Sequence, residues 1–177
     1  MKPPERIETE RLVLRMPVAA DAEAIDRNYA RDPEITRYLT WRPNTSVEQA
    51  QEFVAASLIA WQGEKRFPYA ITLKGEDQAI GMIELRLAVF QAELGYVIGR
   101  AWWGKGYMTE AARALVDWSL ARPEIYRVWA VCDVDNLASR RVMEKAGMQR
   151  EGLLRRAIIH PNVGPEPRDC YIYAIVK

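Results

Sequence analysis

The chain is poor in the residues that carry metal and redox chemistry. Its 177 residues hold two cysteines, Cys132 and Cys170, and one histidine, His160. Two thiols cannot build a metal cluster, and one histidine excludes a His-rich metal site or a two-histidine relay. No metal is therefore expected, and so few cysteines suit a reducing, cytoplasmic compartment. Charge of either sign is not in excess: 25 Lys+Arg face 24 Asp+Glu, which argues against nucleic-acid binding through bulk charge. No apolar run approaches the ~20 residues of a membrane span, and the charged opening segment does not read as a signal peptide. Repeats and low-complexity stretches are missing too. What is present is an ordinary globular mixture, 49% hydrophobic and 28% charged, which excludes general disorder. The length suits one domain over residues 1–177 with a core that needs no staples.

The spacing of apolar residues predicts an α/β order. Residues 11–16 read as a strand stopped by Pro17. Asp21 suits the N-cap of a helix carrying Ala22, Ile25 and Tyr29, broken at Asp32-Pro33. Ser46 with Gln49 three residues on is a capping-box pattern, opening a helix through Trp61 with Gly63 as its stop. The period then changes to two. Strands are expected at 69–73, 80–89 (Ile83, Leu85, Leu87 and Val89 on one face) and 93–98. Gly104-Lys105-Gly106 precedes a helix over 108–121. A strand at 126–132, a helix capped by Asp135-Asn136 and ended at Gly147, and strands at 148–158 and 169–176 complete βααβββαβαββ, a mixed sheet.

The stretch Glu93 to Ala112 is the most informative. A strand runs into a glycine-bearing loop and then a helix. Glycines let backbone approach a ligand, and the first helical N–H groups are unsatisfied, so the junction can hold phosphates. The same glycines also serve a plain strand–helix turn. Neither G-x-x-x-x-G-K-[ST] nor G-x-G-x-x-G occurs, which argues against ATP and dinucleotides.

Trp103-Gly104-Lys105-Gly106-Tyr107-Met108-Thr109-Glu110-Ala111 resembles the pyrophosphate loop of the GCN5-related N-acetyltransferases (GNAT), whose pattern is Gln/Arg-x-x-Gly-x-Gly/Ala. Trp103 stands in the first place, Gly106 is the glycine, and Met108 is last. The Trp and Met departures are typical of the ribosomal-protein alanine acetyltransferase branch (RimJ/RimL-like). Thr9 to Arg15 resembles that branch's opening strand, and Glu93-Leu94-Gly95-Tyr96 its fourth. Asp135 to Ser139, followed by Glu144 to Met148 and Glu151-Gly152, resembles its second CoA segment. The likeness runs in order over nearly the whole chain.

The resemblance implies the GNAT fold: a mixed central sheet of about seven strands, flanked by helices, with a splay between strands four and five. It also implies acetyl-CoA as cosubstrate and direct transfer of acetyl to a primary amine in a ternary complex. Gly104, Lys105, Gly106, Tyr107, Met108 and Thr109, with Trp103 before them, should hold the pyrophosphate. Backbone of Tyr96, Val97 and Ile98 should pair with the pantetheine arm and polarise the thioester carbonyl. Asn136 should hold that arm and Ser139 protonate the leaving thiolate, although capping alone also explains Asn136. An amine must lose a proton to attack, and Glu93 is the expected acceptor of it, with Glu84 on the neighbouring strand as second choice. Both also fit as plain ion-pair partners. Tyr38 and Trp41 are candidates to line the amine cleft.

The acceptor is expected to be a peptide N-terminus. A small-molecule amine, including an antibiotic, is the alternative, and a non-catalytic acyl-CoA-binding domain a further one. Neither nucleic acid nor membrane is expected as partner, and a homodimer is left open. Residues 139–156 hold six basic side chains, a solvated face from which one or two could reach the 3′-phosphate. Residues 1–64 hold eight basic and eleven acidic residues, a balance that would suit a cationic amine. Cys132 reads as a small core residue and His160 as a surface loop residue.

Overall fold

A computed structural model describes residues 2–177. One eight-stranded sheet runs in the order β1-β2-β3-β4-β5-β6-β8-β7. Its strands are β1 (Arg6–Glu8), β2 (Leu12–Arg15), β3 (Arg66–Leu73), β4 (Gly81–Leu87), β5 (Gln91–Ile98), β6 (Arg127–Asp133), β7 (Gln149–Ile159) and β8 (Pro167–Val176). The helices are α1 (Asp21–Ile25), continued by a π turn over Asp26–Ala30, then α2 (Val47–Gln62), α3 (Tyr107–Leu120) and α4 (Leu137–Lys145). This is the α/β arrangement that the resemblance implies, with one strand more than expected. The extra strand is β1, which pairs antiparallel with β2 and is too short to show an alternation.

The period-two patterns become faces of the sheet. On one face Leu14, Phe67, Tyr69, Ile83, Leu85 and Leu94 pack against Ala111, Leu115 and Met143 of α3 and α4. On the other, Ala70 and Met82 meet Ile25, Tyr29, Ala50 and Val54 of α1 and α2. Pro68, Ala70 and Thr72 face opposite to Tyr69 and Ile71, as the pleat requires. Ser46 and Gln49 form the expected capping box at α2. At the end of α4 the N–H of Gly147 donates to Glu144 O (3.1 Å) and that of Met148 to Met143 O (3.0 Å). That pair of bonds is a Schellman motif, and Gly147 supplies the positive φ of 93° it needs.

Three local readings are corrected. Asp21 lies inside α1 rather than at its cap, because its carboxylate is taken by Arg15 (2.7 and 2.8 Å) and by the N–H of Val18 (2.8 Å). Val89 is 91% exposed: β4 ends at Leu87 and the hairpin turn carries Val89 out of the sheet. Pro167, read as loop, opens β8.

The break in the sheet matters most. β5 and β6 are parallel but pair only over Gln91–Glu93 and Arg127–Trp129. Beyond that, β5 pairs with β4 to Ile98 and β6 with β8 to Asp133, and the two strands leave each other. This is the splay expected between the fourth and fifth strands, counted without β1.

Candidate active site

A cavity of about 360 Å³ opens where β5 and β6 part. Its walls come from Tyr96, Val97 and Ile98 of β5, from Trp102 to Thr109 except Lys105, and from Asn136, Ala138, Ser139, Arg141, Val142 and Lys145 at α4. Ile35, Tyr38 and Leu39 of the α1–α2 loop close one end. Residues scattered over a hundred positions thus share one space.

The loop before α3 has the form an anion needs. Gly104 and Gly106 take φ of 73° and 80°, and Gly106 is the N-cap of α3. Such φ values turn successive N–H groups outward, and the helix dipole adds partial positive charge behind them. A Cβ on Gly104 would meet nothing within 4 Å, so the loop's outer surface is open to a ligand. Glu110 braces it from below. Its carboxylate accepts from Thr9 Oγ1 (2.6 Å), the Arg11 N–H (2.8 Å) and Arg11 Nε (2.7 Å). Arg11 also donates to Lys105 O (3.0 Å) and stacks on the Tyr107 ring at 4.7 Å. Burial alone would raise the Glu110 carboxyl, but the bonds from Thr9 and Arg11 outweigh it and hold it below its ordinary range.

At the floor of the cavity, Asn136 caps α4 by accepting from the Ser139 N–H (3.1 Å). The Tyr96 hydroxyl lies 2.9 Å from Ser139 Oγ, and burial pushes its phenol up. Cys132 is buried beside them in the core, and desolvation lifts its thiol to about 12; the Cys170 thiol is lifted to about 11 for the same reason. Both are protonated at neutral pH and are poor nucleophiles.

The end of the cavity at the α1–α2 segment is built by long-range clamps. Asn162, in the loop between β7 and β8, donates from Nδ2 to Thr36 O and to Trp41 O, each at 2.7 Å. Arg100 grips Asp32 through both carboxylate oxygens (2.7 Å). Together they fix the segment that carries Tyr38. The same folding-over of the β7–β8 loop buries His160, which is 4% exposed, 3.6 Å from Asp133 Oδ2 and edge-on to Tyr38. His160 is therefore not the surface residue its Pro-rich context suggested.

Four sequence candidates fall outside the cavity walls. Lys105 is exposed, with its carbonyl taken by Arg11. Trp41 packs its side chain against the α1–α2 core and offers only its carbonyl to Asn162. Glu93 points to the opposite face of β5 from Tyr96 and pairs with Arg86 at 2.8 Å. Glu84 is held by Arg66 and Arg86 at 2.7 and 2.6 Å. Arg86 joins both carboxylates in one ion cluster nearer the β4–β5 hairpin than the residues of β5 that line the cavity. Several acidic residues of 1–64 are likewise held in pairs: Asp21 with Arg15, Asp26 with Arg31, Asp32 and Glu34 with Arg100. No Asp, Glu or His lines the cavity.

Sequence reasoning missed Asn162, the Glu110–Arg11 brace and the Tyr96 hydroxyl. Only the last had a local signal, an inward position on β5 beside residues already singled out. Arg141 and Lys145, from the basic run, do reach the cavity rim. Among the described residues no group of three or more His, Cys, Asp or Glu is placed to hold a metal ion, and no helix is long and apolar enough to cross a membrane.

Comparison with known proteins agrees with this geometry. Residues 11–149 match the model of the acetyltransferase (GNAT) domain. The N-acetyltransferase p20 of Bacillus licheniformis is 32% identical over 177 residues, covering 98% of this chain and 97% of that one. A GNAT-family acetyltransferase of Bacillus anthracis has a solved structure with a TM-score of 0.83 at 32% identity, over 97% of this chain and 98% of that one. The microcin C7 self-immunity acetyltransferase MccE, solved with acetyl-CoA and AMP, superposes with a TM-score of 0.87 at 24% identity, over 99% and 98%.

Proposed function

The chain belongs to the GNAT acetyltransferase family and is an acetyl-CoA-dependent N-acetyltransferase, and from that premise we propose that its acceptor is an α-amine, as at a peptide N-terminus. The observation that carries this is the absence of Asp, Glu and His from the cavity walls. No carboxylate or imidazole of the walls is placed to take a proton from a strongly basic amine. At pH 7.5 roughly a third of α-amines are already neutral, against roughly one in a thousand lysine ε-amines. A site without a base therefore favours the first class. Polycationic aminoglycosides are disfavoured for the same reason, since no carboxylate offsets their charge. The likeness of the opening strand and the two CoA segments to the ribosomal-protein alanine branch points to a peptide.

The residues divide the work. N–H groups from Gly104 to Thr109 hold the pyrophosphate, with Arg141 and Lys145 at the rim for further phosphate. The strand edge of Tyr96 to Ile98 aligns the pantetheine arm and polarises the thioester carbonyl. Asn136 fixes the first turn of α4, and Ser139 supplies a proton to the departing sulfur. Ile35, Tyr38 and Leu39 seat the acceptor.

The test is a panel offered with acetyl-CoA: peptides with a free N-terminus, Nα-blocked lysine peptides, aminoacyl small molecules and aminoglycosides. Products are read by mass spectrometry and free thiol. Acetylation of α-amines at least tenfold faster than ε-amines at pH 7.5 is expected. Preference for ε-amines or aminoglycosides would overturn the reading, and preference for aminoacyl small molecules would move it from peptides to the alternative class.

A further inference from the structure

Ser139 cannot serve as a proton donor merely by being near the sulfur, because its single hydrogen must point into the cavity. A serine in the first turns of a helix ordinarily turns its hydrogen toward a nearby carbonyl of its own helix. What differs here is Tyr96. Its hydroxyl lies 2.9 Å from Ser139 Oγ and 3.2 Å from Ser139 O, and both residues line the cavity.

The phenol has one hydrogen to give. Oγ is the nearer of its two partners, and Ser139 O, at the third residue of α4, faces the helix's own N–H ladder. We propose that Tyr96 is a positioning residue for proton delivery: it donates to Ser139 Oγ, which leaves the Ser139 hydrogen free to point at the departing sulfur. This rests on the assignment of Ser139 as the proton donor. Accepting a hydrogen bond also makes the serine O–H a better donor.

The step balances. The amine nitrogen bonds to the acetyl carbon, and the C–S bond breaks with its electron pair going to sulfur. Ser139 gives its hydrogen to sulfur and is reprotonated, through solvent in the open cavity, by the proton the nitrogen sheds. Tyr96 keeps its own proton throughout, consistent with the burial that opposes its ionisation.

The test compares Tyr96→Phe, Ser139→Ala and the double variant. Each is measured for kcat with one good peptide, for acetyl-CoA affinity by calorimetry, and for the pKa of bound CoA thiol by thiolate absorbance against a desulfo-CoA blank. We expect Tyr96→Phe to lower kcat by roughly 10- to 100-fold, to leave acetyl-CoA affinity within about threefold, and to raise the bound thiol's pKa. The double variant should be no slower than Ser139→Ala, because the two groups act as one unit. If Ser139→Ala is slow but Tyr96→Phe is not, the Ser139 role stands and Tyr96 is overturned. Multiplicative losses in the double variant would also overturn it. If Ser139→Ala keeps its rate and thiol pKa, the donor assignment fails and the Tyr96 role falls with it.

Discussion

The two ends of the cavity are built by different means. The end proposed for the pyrophosphate is backbone: two glycines at positive φ, a helix N-terminus and a strand edge freed by the splay. The acceptor end is an irregular segment between α1 and α2, held by side chains reaching in from elsewhere, Asn162 from 121 and 126 positions away and Arg100 from 68. Backbone geometry demands particular residues at particular spacings, whereas a clamp can be made by any donor that arrives at the right place. On the proposed assignment, the cofactor end is set by backbone geometry and the acceptor end by side-chain clamps.

The sharpest break should come at Gly106. A β-branched residue at φ 80° is strained by about 1–3 kcal/mol, and the loop can relieve that only by turning its N–H groups away. Gly106→Val should weaken acetyl-CoA binding by roughly ten- to a hundredfold, with acceptor binding to the remaining cavity little changed. Gly164→Ala, with open space around its Cβ, is the control and should be neutral. Undiminished affinity in a folded Gly106→Val protein, by calorimetry, would remove the loop from the site.

Breaking the other end should give the opposite signature. Asn162→Ala removes two hydrogen bonds worth about 1 kcal/mol each. The acceptor KM should rise roughly five- to thirtyfold while acetyl-CoA affinity holds. Asn162→Asp should be worse, since it sets an acceptor against two carbonyls. A matching loss of acetyl-CoA affinity would show that the two ends are one unit and not two.

These contrasts explain what could be read in advance. Strand alternation, the Ser46–Gln49 box, the Asn136 cap and the Gly106 junction are local, so the fold and the glycine-bearing loop before α3 were legible. β1 was not, because three residues carry no period. Glu93 stood open between base and ion-pair partner, because strand alternation does not say what a carboxylate will meet. Arg86, opposite it on β4, was the visible clue. His160 and Asn162 acquire their meaning only when the β7–β8 loop folds across 120 residues, which no local pattern encodes.

A smaller effect, in pH, separates the ends again. Glu110 is held below its ordinary range when folded, so its contribution is complete above the unfolded carboxylate value near 4.3 and is lost as pH falls through the folded one. The brace under the loop should therefore hold through neutral pH and fail only in acid, below the ordinary carboxylate range. Glu110→Gln should weaken acetyl-CoA binding roughly three- to tenfold at pH 7. The ratio of wild type to variant should close toward one as pH falls through that lowered range, and a ratio that stays constant until the protein unfolds in acid would deny the carboxylate this role.

The smallest expected effect is at Glu93, and it tests whether chemistry extends down β5. Val97 lies four positions along β5 from Glu93, about 13 Å on a strand. The carboxylate is engaged by Arg86 at 2.8 Å. Glu93→Gln keeps the shape and removes the pair. Half-exposed ion pairs contribute at most about 1 kcal/mol, so the melting temperature should fall by roughly 1–3 °C. kcat/KM should stay within about threefold at every pH from 6.5 to 9. A base, in contrast, would cost ~10²–10⁴, with the loss shrinking at high pH where the amine is already neutral. Measuring kcat/KM against pH for both proteins with one peptide distinguishes the two. A hundredfold loss that recovers at alkaline pH would return proton transfer to Glu93, and would require Arg86 to release it when the acceptor binds.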